Sequence, residues 1–213
     1  EAPKPAGVLF IDGEMPANEI QSRLWQIVGG MDNLESMPLR IITPELQKPR
    51  VLDLSLVEDQ IALEPYLEGV SLIIVDNVST LCRTGNESEG DSWTAIQDWA
   101  ISQRNEGRSV LFIHHAGKNG EQRGTSRRED VLDTVISLRR PGDYTAEKGA
   151  CFEVHFEKSR RFTGDDAKEF EAQLKIQDDI QLWSTRDLEL STVEKVAELL
   201  NEGVPQHEIA EML

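Results

Sequence analysis

The chain has 213 residues, of which 38% are hydrophobic and 29% charged, enough for one large α/β domain with a real core and a small appendage. Its net charge of −17 argues against membrane binding and against generic duplex DNA binding, so any nucleic-acid contact has to be local. Its only cysteines, Cys82 and Cys151, lack metal-ligand spacing, and there is no signal peptide and no apolar run of about 18 residues, which points to a reducing cytoplasm and away from secretion or a membrane span.

In chain order, Glu1 to Pro5 contains two prolines and reads as an incoming linker. Val8-Leu9-Phe10-Ile11 is an unbroken apolar run, the pattern of a strand buried on both faces, and it ends on Asp12-Gly13-Glu14. Gly13 allows a tight turn, and Pro16 suits the first turn of a helix. Ile20, Leu24, Ile27 and Val28 at helical spacing predict an amphipathic helix over 16–28, stopped by Gly29-Gly30. A carboxylate placed as Glu14 is can act as general base on a water; the alternative is that it only favours the positive end of the helix. A short strand is expected over Leu39–Thr43, a polar loop over 44–50, and a helix over 56–67 on the spacing of Val57, Ile61, Leu63 and Leu67.

Residues 70–76 are the stretch on which the rest is organised. Leu72-Ile73-Ile74-Val75 reads as the middle strand of a parallel sheet, and Asp76 stands at its carboxyl end, where α/β proteins bind ligands. Asp76 there can face a cation, Mg²⁺ with bound nucleotide, because Mg²⁺ sites use one or two carboxylates plus phosphate oxygens. The alternative is an aspartate that caps the next turn. A polar loop follows to Gly90, then a helix capped by Asp91 or Ser92 that runs to about Asn105 with Trp93, Ile96, Trp99 and Ala100 on its apolar face. Val110-Leu111-Phe112-Ile113 is a third buried run and ends on His114-His115. Three strand ends carrying Glu14, Asp76 and the histidine pair, converging on one sheet edge, make a candidate site. Adjacent strand residues point to opposite faces, so at most one histidine faces a ligand and the other packs.

Residues 116–130 form the one long basic stretch, with Lys118, Arg123, Arg127, Arg128 and three glycines. It reads either as a phosphate-contacting loop or as a solvated loop paired with Glu129 and Asp130. A strand is expected over Val131–Leu138 and a turn over 141–149. Cys151–Glu157 alternates apolar and polar, so it is expected as a one-sided strand near the sheet's edge, followed at once by Lys158-Ser159-Arg160-Arg161. Glu171–Ile176 and Ile180–Trp183 flank Asp178-Asp179 as a hairpin. In the tail, Ser191 can cap a helix bearing Val193, Val196, Leu199 and Leu200, and a second helix starts after Gly203. These are either the first two helices of a helix-turn-helix or a plain helical hairpin on the main domain.

Together these motifs resemble the RecA-like P-loop ATPases, and within them the hexameric replicative helicases of the RepA and DnaB types. Val-Leu-Phe-Ile-Asp-Gly-Glu-Met-Pro at 8–16 is similar to the family's strand whose glutamate activates the attacking water, which would be Glu14. Leu-Ile-Ile-Val-Asp at 72–76 resembles the Walker B strand, making Asp76 the Mg²⁺ partner. Val-Leu-Phe-Ile-His-His-Ala-Gly-Lys at 110–118 resembles the sensor strand, with His115 at the position that senses the γ-phosphate. Lys158 and Arg160, in Lys-Ser-Arg, resemble the residues such helicases send into a neighbouring subunit's site, and residues 116–128 match the channel loop that touches single-stranded DNA.

The resemblance covers about residues 7–185 and implies a RecA-like, mostly parallel sheet flanked by helices over 1–187, with a C-terminal β-hairpin and a helical tail at 188–213. It implies ATP and Mg²⁺ as cofactors, and single-stranded DNA and further copies in a ring as partners. The Walker A loop G-x-x-x-x-G-K-[ST] that should precede the Val8 strand is absent from residues 1–6. The expectation is a fragment of a longer ATPase, inactive as it stands; the alternative is a natural protein that kept the scaffold and lost hydrolysis. The function expected of the parent is an ATP-driven, RepA-like DNA helicase. The alternatives are an ATP-responsive DNA-binding regulator and an inactive interaction module.

Overall fold

A computed structural model describes residues 6–28, 38–46, 52–83, 90–115, 131–177, 180–188, 196–197, 199–201 and 203–212. The chain forms two compact units, Glu1–Val131 and Leu132–Leu213. In the first, strands β1 (Gly7–Asp12), β2 (Leu39–Ile42), β3 (Val70–Asp76) and β4 (Ser109–Ile113) form a parallel sheet in the order β2-β1-β3-β4. Helices α1 (Ala17–Val28), α2 (Val57–Leu63), α3 (Val78–Leu81) and α4 (Gly90–Asn105) alternate with the strands. This is the α/β, RecA-like architecture, with β3 in the interior of the sheet between β1 and β4.

The core lies under β1 and β3. Leu9, Ile11, Ile73 and Val75 are fully buried, and Leu54, Leu63, Leu81 and Trp99 pack with them. The alternate residues of β3, Leu72 and Ile74, are only half-buried, so one face of this strand is sealed more completely than the other. Trp93 meets Phe112 edge to face with ring centroids 5.6 Å apart, fixing α4 on β4.

Several expectations are corrected. The run at 110–113 is not buried on both faces: among the described strands β4 pairs with β3 alone, and Leu111 is 48% exposed. The helix expected over 56–67 ends at Leu63 and tightens into a 3₁₀ turn at Glu64–Tyr66, because Pro65 has no N–H to continue the ladder. Helix α4 begins at Gly90, so the positions of Asp91 and Ser92 lie within it and not ahead of it. Gly107 ends the helical segment with φ +82°, a backbone conformation that suits glycine.

The second unit is an antiparallel sheet of β5 (Thr134–Arg139), β6 (Cys151–Ser159), β7 (Phe170–Gln177) and β8 (Ile180–Asp187), paired in that order. The expected hairpin is β7–β8, with Gln177 opposite Ile180. Strand β6 is interior to this sheet, not near an edge: it pairs with β5 on one side and β7 on the other. Its alternation is real, but it separates two sheet faces. Phe152, Val154 and Phe156 share a face with Phe170 and Trp183. On the other face Arg139 pairs with Glu157 at 2.6 Å and Arg186 with Glu171 at 2.8 Å. The Ser137 and Arg139 donors hold the Glu157 carboxyl below its usual range. Of the tail, a helix α5 (Gln206–Met212) is described, with Ile209 buried; Ser191 lies outside the described residues.

Candidate active site

The parallel sheet sets the site. β1, β3 and β4 run side by side in one direction, with Asp12 level with Asp76 and Asp76 level with Ile113. Their carboxyl ends therefore share one edge, and the turns that follow carry Glu14, Asn77 and His115.

The turn after β1 is built by Asp12, which is 1% exposed. Its Oδ2 accepts from the backbone N–H of Glu14 at 3.1 Å and of Met15 at 2.8 Å. Gly13 donates its N–H to the Asp76 carbonyl at 2.6 Å, which ties this turn to the end of β3. A Cβ at Gly13 would sit 2.2 Å from Thr80 Oγ1, so only glycine lets the two turns approach so closely.

After β3 comes Asn77, fully buried and joined to Asp76 by a cis peptide bond. It caps α3: its Oδ1 accepts from the Thr80 N–H at 3.2 Å, and the Thr80 hydroxyl faces the Asn77 N–H in return. Its Nδ2 donates to Glu14 Oε1 at 2.5 Å. Glu14 Oε2 lies 3.4 Å from His115 Nε2. A carboxylate only accepts, so Nε2 carries the proton in that contact.

The structure thus brings Glu14, Asp76 and His115 to one edge. Both histidines follow β4 instead of lying in it: the His115 side chain is two-thirds exposed, whereas His114 is half-buried with its Nδ1 enclosed. Lys158 lies within β6 opposite Val135, and Arg160 follows it, both in the second unit. Lys118, Arg123, Arg127 and Arg128 fall outside the described residues. Sequence reasoning missed Asn77 and the anchoring role of Asp12. An Asn with Thr three residues later, just past a strand, is a capping-box signal that was open to reading. That its amide also reaches Glu14, 63 positions away, is not.

Burial raises the Asp76 carboxyl above its ordinary value of 3.8, and the charges of Asp12 and Glu14 push the same way against His115 and Arg23. A raised carboxyl means the folded protein binds more protons than the unfolded chain between 3.8 and the folded value, so stability falls as pH rises through that window. Asp76→Asn should therefore melt higher than the parent at neutral pH, by roughly 2–4 °C for each kcal/mol of burial cost and repulsion relieved. A lower melting temperature in a thermal scan would contradict this account of Asp76.

A divalent cation fits the donors present. Asp12, Glu14 and Asp76 offer hard oxygens, and buried Asp12 Oδ1 has no hydrogen-bond partner among the described residues. No group of three or more His, Cys, Asp or Glu among the described residues is arranged to hold a metal unaided.

Acidic and polar groups at the carboxyl edge of adjacent parallel strands stand where open α/β sheets bind their ligands. The family model described as an AAA domain (AAA_25) matches residues 1–121, more than half of the chain, and the chain belongs to that family. No curated protein matches it. No helix among the described residues is long and apolar enough to cross a membrane.

Proposed function

We propose that this chain is the ATPase core of a DNA-acting motor of the RepA-like replicative helicase type, working on single-stranded DNA as a ring of identical subunits in the cytoplasm. The observation that carries the reading is the meeting of Glu14, Asp76 and His115 at one sheet edge, in a family of ATPase domains. Asp76 would hold Mg²⁺ through water. Bound Mg·ATP would supply the phosphoryl group and the charge neutralisation that phosphoryl transfer needs. Glu14 takes a proton from the attacking water at Oε2, the oxygen Asn77 leaves open. His115 Nε2–H, within reach of that oxygen, follows the state of the γ-phosphate and passes it to the segment that begins at 116. Arg123, Arg127, Arg128 and Lys118 contact DNA phosphates. Lys158 and Arg160 act on a neighbouring subunit's site.

A hydrolysis and unwinding assay of the complete gene product carrying this sequence tests the reading. Single-stranded DNA should stimulate ATP hydrolysis, and a forked duplex should be unwound only with hydrolysable ATP. Nucleotide-gated duplex binding without strand separation would instead indicate a regulator that uses the helical tail. Neither activity would leave an interaction module.

A further inference from the structure

We propose that Asn77 is a positioning residue for Glu14, fixing which carboxylate oxygen is left to take the proton; this rests on the reading of Glu14 as the base. The orientation of the amide is forced. The Thr80 N–H can only donate, so it faces Oδ1, and the Glu14 carboxylate can only accept, so it faces Nδ2. With Asn77 fully buried and held at one end by the α3 cap, its other end is a fixed donor to Oε1. Glu14 Oε2 then lies toward His115 and solvent, on a side chain that is 42% exposed. The backbone reinforces this, since Asp12 Oδ2 holds the Glu14 N–H and the Asp76 carbonyl holds the Gly13 N–H.

The chemistry at position 77 is specific. Ser, Thr or Asp would cap α3 about as well as Asn. None of them carries a second arm with a donor. Asp would put a second carboxylate in direct contact with Glu14, at a fully buried position. Asn alone combines the cap acceptor with an uncharged donor for Glu14.

The test separates the two functions of the side chain in the complete gene product. Asn77→Ser and Asn77→Asp keep the cap and remove the donor. Each should lower kcat on the order of 10²-fold, the cost of misplacing a reacting group by about 1 Å. The KM for ATP should stay at the parent value in both, and Asn77→Asp should melt lower than Asn77→Ser because it places a further acid in a fully buried position beside Glu14. In a Glu14→Gln background, Asn77→Ser should lower the residual hydrolysis no further, because the group it positions is already gone. A readout without turnover comes from NMR of the free protein. The Asn77 side-chain amide protons should be shifted downfield and slow to exchange, and Glu14→Ala should return them to ordinary values.

An Asn77→Ser enzyme with parent kcat would overturn the proposal. So would an equal fall in both backgrounds, or amide signals indifferent to Glu14→Ala. If Glu14→Gln itself hydrolyses at the parent rate, the base reading fails instead, and the amide signals still report whether Asn77 holds Glu14.

Discussion

Glu14→Gln in the complete gene product should lower ATP turnover by about 10²–10⁴-fold, the usual contribution of a positioned general base. Nucleotide affinity should be retained. The substitution is close to isosteric, and Gln Oε1 still accepts the Asn77 Nδ2 hydrogen bond, so the side chain keeps its place. The turn keeps its shape too, because Asp12 holds it through backbone N–H groups that the change does not touch. What disappears is the acceptor for a proton: where the carboxylate presents Oε2 to solvent and His115, the amide presents NH₂. With the Glu14 side chain nearly half-exposed, stability should move by no more than about 0.5 kcal/mol either way. Calorimetric titration with Mg·ATP alongside steady-state hydrolysis checks both halves. A turnover within about threefold of the parent would make the general-base role untenable.

Much of this site was legible because strand ends announce themselves. Val8–Ile11, Leu72–Val75 and Val110–Ile113 are apolar runs, each closed by polar residues, and parallel pairing brings their ends to one edge. The runs did not reveal strand order. Apolar composition cannot distinguish a strand with neighbours on both sides from one such as β4, with a single described partner, because Leu111 and Ile73 are equally apolar while one is 48% exposed and the other fully buried. The alternation in Cys151–Glu157 had the same ambiguity. It marks a strand with unlike faces, and such a strand can be central to an antiparallel sheet as well as at the edge of a parallel one.

The local support of Glu14 was the least legible part. Asp12 and Gly13 advertise a turn, yet the pressure on Gly13 comes from Thr80, and the donor to Glu14 comes from Asn77, both far along the chain. Such contacts follow from register: Asp12 is level with Asp76, so whatever follows each strand must meet. Once β1 and β3 are known to be neighbours, the Glu14–Asn77 meeting can be anticipated.

Arg160→Ala should lower ATP turnover by about 10³–10⁵-fold if Arg160 acts as an arginine finger on a neighbouring subunit. Its surroundings allow that effect to be separated from folding. The Arg160 guanidinium lies 4.0 Å from Asp133 and its side chain is 49% exposed, a geometry worth about 0–1 kcal/mol at most. Arg161 also reaches Asp133, at 3.7 Å, so the carboxylate keeps a cationic partner when Arg160 is removed. The Arg160 N–H to the Asp133 carbonyl, at 3.0 Å, is a backbone contact that alanine preserves. The variant should therefore melt with the parent and bind single-stranded DNA, yet fail to hydrolyse ATP. Mixing it with Glu14→Gln subunits supplies the decisive comparison. Each variant alone lacks one half of every site. In mixed assemblies some interfaces pair the intact Glu14 of an Arg160→Ala subunit with the intact Arg160 of a Glu14→Gln subunit, and those interfaces should hydrolyse ATP. Absence of recovery in mixtures shown to co-assemble would mean that Arg160 serves its own subunit, holding Asp133 at the start of β5, and that a different residue completes the neighbouring site.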